Sequence, residues 1–422
     1  MKKIDPDDIV DIIRPGSKIG LGNACAEPQT LIDSLLRNKD RFKGIEIYGM
    51  IHYWTERFIK EKMGEKLKFN VFMVDKFTVK GIREGFTEYI PCRYSRIPEL
   101  FTEGYICLDA AFISVSPPNS DGNCSFGVSS DFTQAMAKSA RTVIAEINQQ
   151  MPYVYGDNFI NTKEIHYSFE TDRQLPQVSS GRLGEVDVKI AKTVSQLIED
   201  GATIQIGIGK LSEAVLEQLH DRRRLGIHSG LLSEGVVDLI RQGAVDNSCK
   251  GLKNGKTVTT TIIGTDKLFQ FVHCNKAVES YPSNYTHNQV TLAKLKGLHA
   301  INSAIQVDLT GQINAETVGG LQVSGIGGQT DFMSGAALSK GGKSIIALSS
   351  VSKDGLKSKI VPCLDRGASV TSLRQDVDYV VSEYGAAYLR GKTLSERSKA
   401  LIQIAHPEFR DWLESEKRRL HL

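Results

Sequence analysis

The stretch ATIQIGIGKLSEAVLEQLH (residues 202–220) predicts a strand, a glycine turn and a helix in immediate succession. Its first part is apolar and β-branched, Gly207 and Gly209 follow, and the apolar residues after Lys210 recur at helical spacing. The N-terminal stretch SKIGLGNACAEPQTLIDSLL (17–36) repeats this order of strand, Gly-x-Gly, acidic residue and helix. Short buried strands that alternate with helices are typical of α/β proteins with parallel sheets. The repeated plan also indicates a duplicated domain.

The same alternation of strands and helices continues along the chain. Predicted strands cover Ser17–Leu21, Ile45–Met50, Phe69–Val74, Ala111–Val115, Thr142–Ile147 and Thr203–Ile208. Predicted helices cover Glu27–Arg37, Thr55–Lys62, Thr133–Ser139, Val186–Glu199 and Leu211–Leu219. The segment Tyr167–Gly184 breaks the rhythm with Pro, Gly and Ser, and we interpret it as a linker. A chain of 422 residues is too long for one core, so we expect two domains, 1–180 and 181–422.

The composition excludes several classes of protein. The chain is 41% hydrophobic and 24% charged with a net charge of +3, and basic runs such as Arg222–Arg224 lack interleaved aromatic residues, so we expect no nucleic-acid partner. The chain holds no signal-peptide-like segment and no run of ~18 apolar residues, which predicts a cytoplasmic protein without a membrane segment. Seven dispersed cysteines without a C-x-x-C pair indicate reduced thiols, and the isolated histidines predict no metal site.

Glycines cluster beside strands at two places that could hold a ligand. One is the turn Gly207–Gly209, and the other is VSGIGGQTDF (323–332), with Gly325, Gly327 and Gly328. Glycine lets a ligand approach the backbone, and a helix that follows offers free N–H groups to an anion. Neither stretch is G-x-G-x-x-G or a P-loop, which disfavours a dinucleotide or nucleoside triphosphate. From these residues alone, an anionic or bulky ligand and a tight packing turn without a ligand both remain open.

The stretch LGIHSGLLSEGVVDLI (225–240) predicts another turn between a strand and a helix. An apolar run ends at His228, Ser229 and Gly230 form the turn, and residues 233–235 begin a helix. Such turns carry ligand-binding and catalytic residues in α/β proteins.

Motifs along nearly the whole chain resemble the acetyl-CoA hydrolase/transferase family of class I CoA-transferases. They are AEPQTL (26–31), IREGFTEYIPCRYSRIPELF (82–101), VSPPNSDGNCSFGVSSDFT (115–133), AINSAIQVDLTGQIN (300–314), SGIGGQTDF (324–332) and SEYGAAYLRGKTLSERSKALIQIAHPEFRDWL (382–413). The resemblance implies two tandem CoA-transferase-type α/β domains with the active site at their interface. It also implies a homodimer or homotetramer that moves coenzyme A between small carboxylic acids. An acyl-CoA thioester is then a substrate, and no cofactor is bound permanently.

The resemblance also implies which residues contact coenzyme A. They are Gly207, Ile208, Gly209, Lys210 and Leu211 in the first glycine turn, Gly325, Gly327 and Gly328 in the second, and Asn302 near the thioester.

The chain departs from the family at the catalytic position. The family uses a glutamate carboxylate that attacks the thioester, in a turn resembling GIH-S/T-E, and this sequence has GIHSG with Gly230 at that place. Glu234 in the same turn or Glu56 in IHYWTERF (51–58) could serve instead, and we favour Glu56. Gly230 is expected to leave a space of about the volume of a glutamate side chain. An acyl-CoA hydrolase or acyltransferase and a non-catalytic acyl-CoA-binding protein are the alternatives.

Overall fold

The computed structural model describes residues 1–61, 66–179 and 181–422, which form two compact units. The first unit contains Met1–Ser179 and Val258–Thr286, and the second contains Ser180–Thr257 and His287–Leu422. The first break in the chain thus falls beside the expected domain boundary at residue 180, which itself lies outside the described residues. The segment 258–286 is grouped with the first unit, whereas the sequence analysis placed it in the second domain.

The described residues up to 179 alternate between strands and helices. The helices are α1 (Ile9–Ile12), α2 (Gln29–Arg37), α3 (Thr55–Lys60), α4 (Thr78–Glu84), α5 (Ile97–Thr102) and α6 (Thr133–Ser139). The strands are β1 (Lys2–Lys3), β2 (Lys18–Leu21), β3 (Ile45–Gly49), β4 (Leu67–Val71), β5 (Thr87–Tyr89), β6 (Ala110–Val115), β7 (Asn123–Ser125), β8 (Thr142–Asn148), β9 (Tyr155–Gly156), β10 (Phe159–Asn161) and β11 (Tyr167–Thr171). The C-terminal end of the predicted helix Thr55–Lys62 falls at Lys62, outside the described residues.

The core of the first unit is an eight-stranded sheet in the order β1-β11-β8-β6-β2-β3-β4-β5. All its neighbouring strands are parallel, and β6, which is buried along its whole length, pairs Ala110 with Thr142 of β8. Fully buried, mostly apolar strands such as AAFISV suit this position because helices cover both faces of a parallel sheet. The predicted linker Tyr167–Gly184 is wrong at its start, since YSFET forms β11 and the Pro and Gly residues come after it.

The same alternation of strands and helices continues after residue 181, and the elements within residues 258–286 are grouped with the first unit. In chain order, the next helices are α7 (Glu185–Gln196), α8 (Lys210–Glu217), α9 (Glu234–Arg241), α10 (Asp266–Val272), α11 (Ser283–Thr286), α12 (Gln289–Ala293), α13 (Gln329–Leu338), α14 (Leu394–Gln403) and α15 (Pro407–Arg419). The strands are β12 (Thr203–Ile206), β13 (Gly226–Ile227), β14 (Leu231–Leu232), β15 (Thr257–Thr259), β16 (Thr261–Ile262), β17 (Val278–Ser280), β18 (Leu298–Ser303), β19 (Gln306–Asp308), β20 (Ile313–Asn314), β21 (Thr317–Val318), β22 (Leu321–Gln322), β23 (Lys343–Ala347), β24 (Ile360–Val361), β25 (Tyr379–Ser382) and β26 (Gly385–Tyr388).

The sheet of the second unit has the order β13-β12-β18-β23-β25-β26. Its strands are parallel except for the antiparallel edge pair β25 and β26. Strand β12 pairs Ile206 with Ile301 of β18, and β18 pairs Ser303 with Ala347 of β23. The carboxyl ends of these three strands therefore lie side by side, which is where open α/β sheets bind their ligands.

A buried carboxylate in the first unit makes the stability of the protein depend on pH. Glu146 of β8 is 1% exposed, and its Oε2 accepts the N–H of Thr30 in the first turn of α2 at 2.9 Å. Burial raises the pKa of Glu146 to about 7, and the Thr30 hydrogen bonds and the charge of Arg173 oppose this shift. Between the ordinary pKa of glutamate and about 7, the unfolded chain loses a proton that the folded chain keeps. Stability therefore falls as pH rises through this window.

Glu146→Gln is expected to remove most of the decrease in stability with rising pH, because the amide does not ionise. The amide oxygen can still accept the N–H of Thr30. The wild-type free energy of unfolding should fall between pH 5 and pH 8 by about 3 kcal/mol more than that of the variant. Urea titrations at both pH values measure this difference. The exposed Glu103→Gln is the control and should retain the wild-type dependence. Equal pH dependence in wild type and Glu146→Gln would contradict the prediction.

Candidate active site

A cavity of about 320 Å³ opens where β12, β18 and β23 end. Its lining comes from the residues that follow β12 and from the last residues of β18 and β23. The described residues that line it are Gly207, Ile208, Gly209, Lys210, Leu211, Ser212, Val215, Ile301, Asn302, Ser303, Gln329 and Ala347. All of them belong to the second unit. The cavity therefore occupies the position that the topology of a parallel sheet reserves for a ligand.

The loop between β12 and α8 forms one wall of the cavity. Gly209 has φ +105°, a conformation that residues with a side chain rarely adopt, and α8 begins directly after it at Lys210. Lys210 is the first residue of α8 and is exposed, so its ammonium group is accessible. The first N–H groups of the same helix form the positive end of the helix dipole. Ile208 is 40% exposed although it is apolar. The wall thus combines cationic and apolar surface, which suits a ligand that carries phosphate groups and an uncharged arm.

Asn302 is held in place at the end of β18 by a side chain of β12. Its Nδ2 donates to Oε1 of Gln205 at 3.0 Å, and Nε2 of Gln205 lies 3.4 Å from Oδ1 of Asn302. This reciprocal amide pair fixes the orientation of Asn302 next to the cavity. The pairing partner, Gln205, was not singled out from the sequence, because a glutamine inside a strand carries no recognisable motif.

The structure brings most of the residues expected to contact coenzyme A to this one cavity. Gly207, Ile208, Gly209, Lys210, Leu211 and Asn302 line it. Gly325, Gly327 and Gly328 are not among the lining residues, but Gln329, which follows them and begins α13, does line it. A direct contact between these three glycines and a ligand stays a prediction. Gln329 and Ser303 were not predicted as ligand contacts, because both residue types are common and their proximity follows from the topology.

The turn after β13 is attached to the same end of β12. Oγ of Ser229 donates to the carbonyl of Ile206 at 2.8 Å and accepts the N–H of Ile206 at 3.3 Å. Ile206 is the last residue of β12 and precedes the glycine loop of the cavity. Ser229 is 1% exposed, so both hydrogen bonds are shielded from water. The position of Gly230 is thereby coupled to the wall of the cavity.

The side of Gly230 that would carry a Cβ is occupied by His287. A Cβ placed on Gly230 would lie 2.5 Å from Nε2 and 2.8 Å from Cε1 of His287, which is closer than real Cβ contacts. The sequence analysis expected an open space of the volume of a glutamate side chain here, and this expectation is wrong. The imidazole takes that space. A histidine distant in sequence gave no signal that could have predicted this.

His287 is a buried side chain that packs against an aromatic ring. It is 1% exposed, and its ring centroid lies 4.7 Å from that of Phe332 in an edge-to-face arrangement. Burial, helped by the nearby His228, lowers the pKa of His287 to about 3. The imidazole therefore carries no positive charge at neutral pH.

The two candidate nucleophiles lie in different surroundings. Glu56, in the first turn of α3, forms an ion pair of 2.8 Å with Lys60, and its side chain is 48% exposed. This ion pair lowers the pKa of the Glu56 carboxyl. Glu234 begins α9 and is partly buried. Oε2 of Glu213 on α8 accepts the N–H of Gly235, the residue after Glu234, at 3.2 Å.

Comparison with known proteins assigns the chain to a family. Residues 1–178 match the acetyl-CoA hydrolase/transferase N-terminal domain, and residues 264–417 match the C-terminal domain of the same family. The chain belongs to the acetyl-CoA hydrolase/transferase family, as its motifs predicted, and it is a CoA-transferase.

Individual relatives agree with this assignment. The 4-hydroxybutyrate coenzyme A transferase of Clostridium kluyveri is 43% identical over 98% of this chain and 97% of its own length. Among solved structures, RipA from Yersinia pestis has a TM-score of 0.94 and 33% identity over 100% of this chain and 98% of that chain. The 4-hydroxybutyrate CoA-transferase of Porphyromonas gingivalis has a TM-score of 0.86 and 36% identity over 99% and 98%.

The remaining observations concern membrane-spanning helices and metal ions. Among the described residues, no helix combines the length and the apolar content needed to cross a bilayer. Within the same part of the chain, no three His, Cys, Asp or Glu side chains are grouped in a way that could hold a metal ion.

Proposed function

We propose that this CoA-transferase moves coenzyme A between small carboxylic acids and binds the acyl-CoA thioester in the cavity at the ends of β12, β18 and β23. The observation that carries the proposal is the convergence of the glycine loop, Lys210 and Asn302 on that one cavity. Lys210 and the N-terminus of α8 supply positive charge for phosphate groups. The names of the relatives support carboxylic acids as substrates, since they specify 4-hydroxybutyrate, cyclohexane-1-carboxylate, and butyryl-CoA with acetate.

The reaction needs a carboxylate that can form an acyl intermediate. In the family's chemistry the carboxylate attacks the thioester carbonyl, the C–S bond breaks, and an acyl–glutamyl anhydride and CoA thiolate result. The thiolate then attacks the glutamyl carbonyl and releases the first acid, which leaves a glutamyl-CoA thioester. The acceptor carboxylate attacks this thioester in turn, and the released thiolate completes the new acyl-CoA. Each bond that forms is matched by one that breaks, and the enzyme carboxylate is regenerated.

We propose Glu234 as the carboxylate that takes this role, ahead of Glu56. Glu234 follows Gly230 closely in the chain and belongs to the unit that contains the cavity. Burial raises the pKa of Glu213, on the helix that begins at the cavity wall, and the charge of the Glu234 carboxylate adds to this shift. Glu56 instead already pairs with Lys60 on an exposed helix turn. This preference for Glu234 reverses the preference for Glu56 that was based on the sequence.

Lys210→Gln tests the proposed cavity. The variant is expected to raise the KM for butyryl-CoA about tenfold with kcat within threefold of wild type, because a phosphate contact stabilises ground state and transition state alike. Initial rates with butyryl-CoA and acetate measure both constants, and the free thiol is followed in parallel. The exposed Lys189→Gln on α7 is the matched control and should leave KM unchanged.

Two outcomes of this assay would contradict the proposed function. An unchanged KM in Lys210→Gln would show that coenzyme A does not bind in this cavity. Thiol release that equals the loss of butyryl-CoA, with no acetyl-CoA formed, would make the wild-type protein a hydrolase instead.

The assembly and the location of the protein are proposals of the same kind. We propose a homodimer or homotetramer in the cytoplasm, supported by the oligomers that the family resemblance implies and by the seven cysteines, all of which are free thiols. Sedimentation analysis of the purified chain would show a monomer if the proposed assembly is wrong.

A further inference from the structure

His287 lies between two glycines that come from different parts of the second unit. A Cβ placed on Gly328 would lie 2.5 Å from Nε2 and 2.6 Å from Cδ2 of His287, in the same way that a Cβ on Gly230 would lie 2.5 Å from Nε2. Both glycines have negative φ values, so their backbone conformations are open to other residues. The close approach of the imidazole, and not the backbone conformation, is therefore what requires glycine at both positions.

The two glycines stand at elements that shape the cavity. Gly328 is the N-cap of α13, and the next residue, Gln329, lines the cavity. Gly230 follows Ser229, whose hydroxyl is bonded to the last residue of β12, directly before the glycine loop. A displacement of the imidazole would thus be transmitted to two walls of the cavity by short connections along the chain and through the Ser229 hydrogen bond.

We infer that His287 is a positioning residue that holds the turn at Gly230 against the N-terminus of α13 and so sets the shape of the acyl-CoA cavity. The imidazole acts through its volume, since it is buried, contacts Phe332 and lies where a Cβ on either glycine would be. It also fills the place that a side chain at position 230 would need. The effect on acyl-CoA rests on the proposed function of the cavity, whereas the steric coupling of the three residues does not.

The test is a double-mutant cycle in the full-length protein. Gly230→Ala alone should lower Tm by several degrees, because the added Cβ displaces the imidazole. His287→Ala alone should also lower Tm, because it leaves a cavity. In the Gly230→Ala background, however, His287→Ala should raise Tm. A change of sign of this type shows that the two sites are energetically coupled, as expected when both side chains compete for one volume.

A matched control uses another crowded glycine on the same helix. A Cβ on Gly335 of α13 would lie 2.6 Å from Leu292, so Gly335→Ala should lower Tm to a similar degree. His287→Ala should not rescue this variant, and the two losses should add. Additive losses for Gly230→Ala and His287→Ala would overturn the steric coupling.

Kinetics separate positioning from simple structural support. His287→Ala is expected to raise the KM for butyryl-CoA about tenfold with a change in kcat below threefold. His287→Gln, which keeps a side chain of similar size and reach, should stay within threefold of wild type in both constants. If His287→Ala left KM unchanged but showed the expected change of sign in Tm, His287 would not set the shape of the acyl-CoA cavity. Failure of the proposed function itself would be recognised by wild-type KM in Lys210→Gln.

Discussion

Gly230→Glu is expected to destabilise the protein and to abolish its transferase activity, although it introduces a carboxylate at the position where the family carries one. The new Cβ would lie 2.5 Å from Nε2 of His287, and the rest of the side chain would need still more of the volume that the imidazole fills. Overpacking a dense core costs about 1–3 kcal/mol, and burying a carboxylate among His287 and Phe332 adds to this. We expect a loss of about 3 kcal/mol or more in the free energy of unfolding. Urea titration measures it.

The double variant Gly230→Glu/His287→Ala is the control for this prediction. Removal of the imidazole gives the glutamate side chain room, so the double variant should be more stable than Gly230→Glu alone. If the turn presents the new carboxylate to the thioester, transferase activity should reappear in the double variant. A single Gly230→Glu variant with wild-type stability and increased activity would contradict the prediction, since His287 would then move aside at little cost.

Glu234→Gln is expected to lower kcat for CoA transfer by about three orders of magnitude, because loss of the nucleophile leaves binding and oxyanion stabilisation as the remaining sources of catalysis. The change is nearly isosteric, so α9 should still begin at residue 234 and Tm should change little. The readout is the rate of acetyl-CoA formation from butyryl-CoA and acetate. Trapping of a glutamyl thioester with hydroxylamine or borohydride, followed by peptide mass spectrometry, identifies the labelled residue.

Glu56→Gln is the matched comparison for the nucleophile. It removes a carboxylate that pairs with Lys60 on the protein surface, so kcat should stay within twofold of wild type. Full turnover and continued trapping in Glu234→Gln would refute the assignment of Glu234. Loss of turnover and of trapping in Glu56→Gln would instead identify Glu56 as the nucleophile, as favoured from the sequence.

The elements of the fold could be predicted from local patterns. The strand and helix of ATIQIGIGKLSEAVLEQLH appear as β12 and α8, and the predicted helix Thr133–Ser139 coincides with α6. These predictions succeed because hydrophobic periodicity and glycine turns act over a few neighbouring residues. The prediction failed at Tyr167–Thr171, where a short strand directly precedes a Pro- and Gly-rich segment and was merged with it.

The sequence by itself determined the α/β class, the family and the glycine loop that begins α8. The tertiary structure decided which residues meet at the cavity, because the order of strands in the sheet brings the ends of β12, β18 and β23 together. It also decided what surrounds Gly230. His287 is far from Gly230 and Gly328 in the chain. No local sequence pattern predicts that its imidazole occupies the space that side chains at these two positions would need. Dense packing between distant segments, which depends on volume in three dimensions, is the physical reason for this difference.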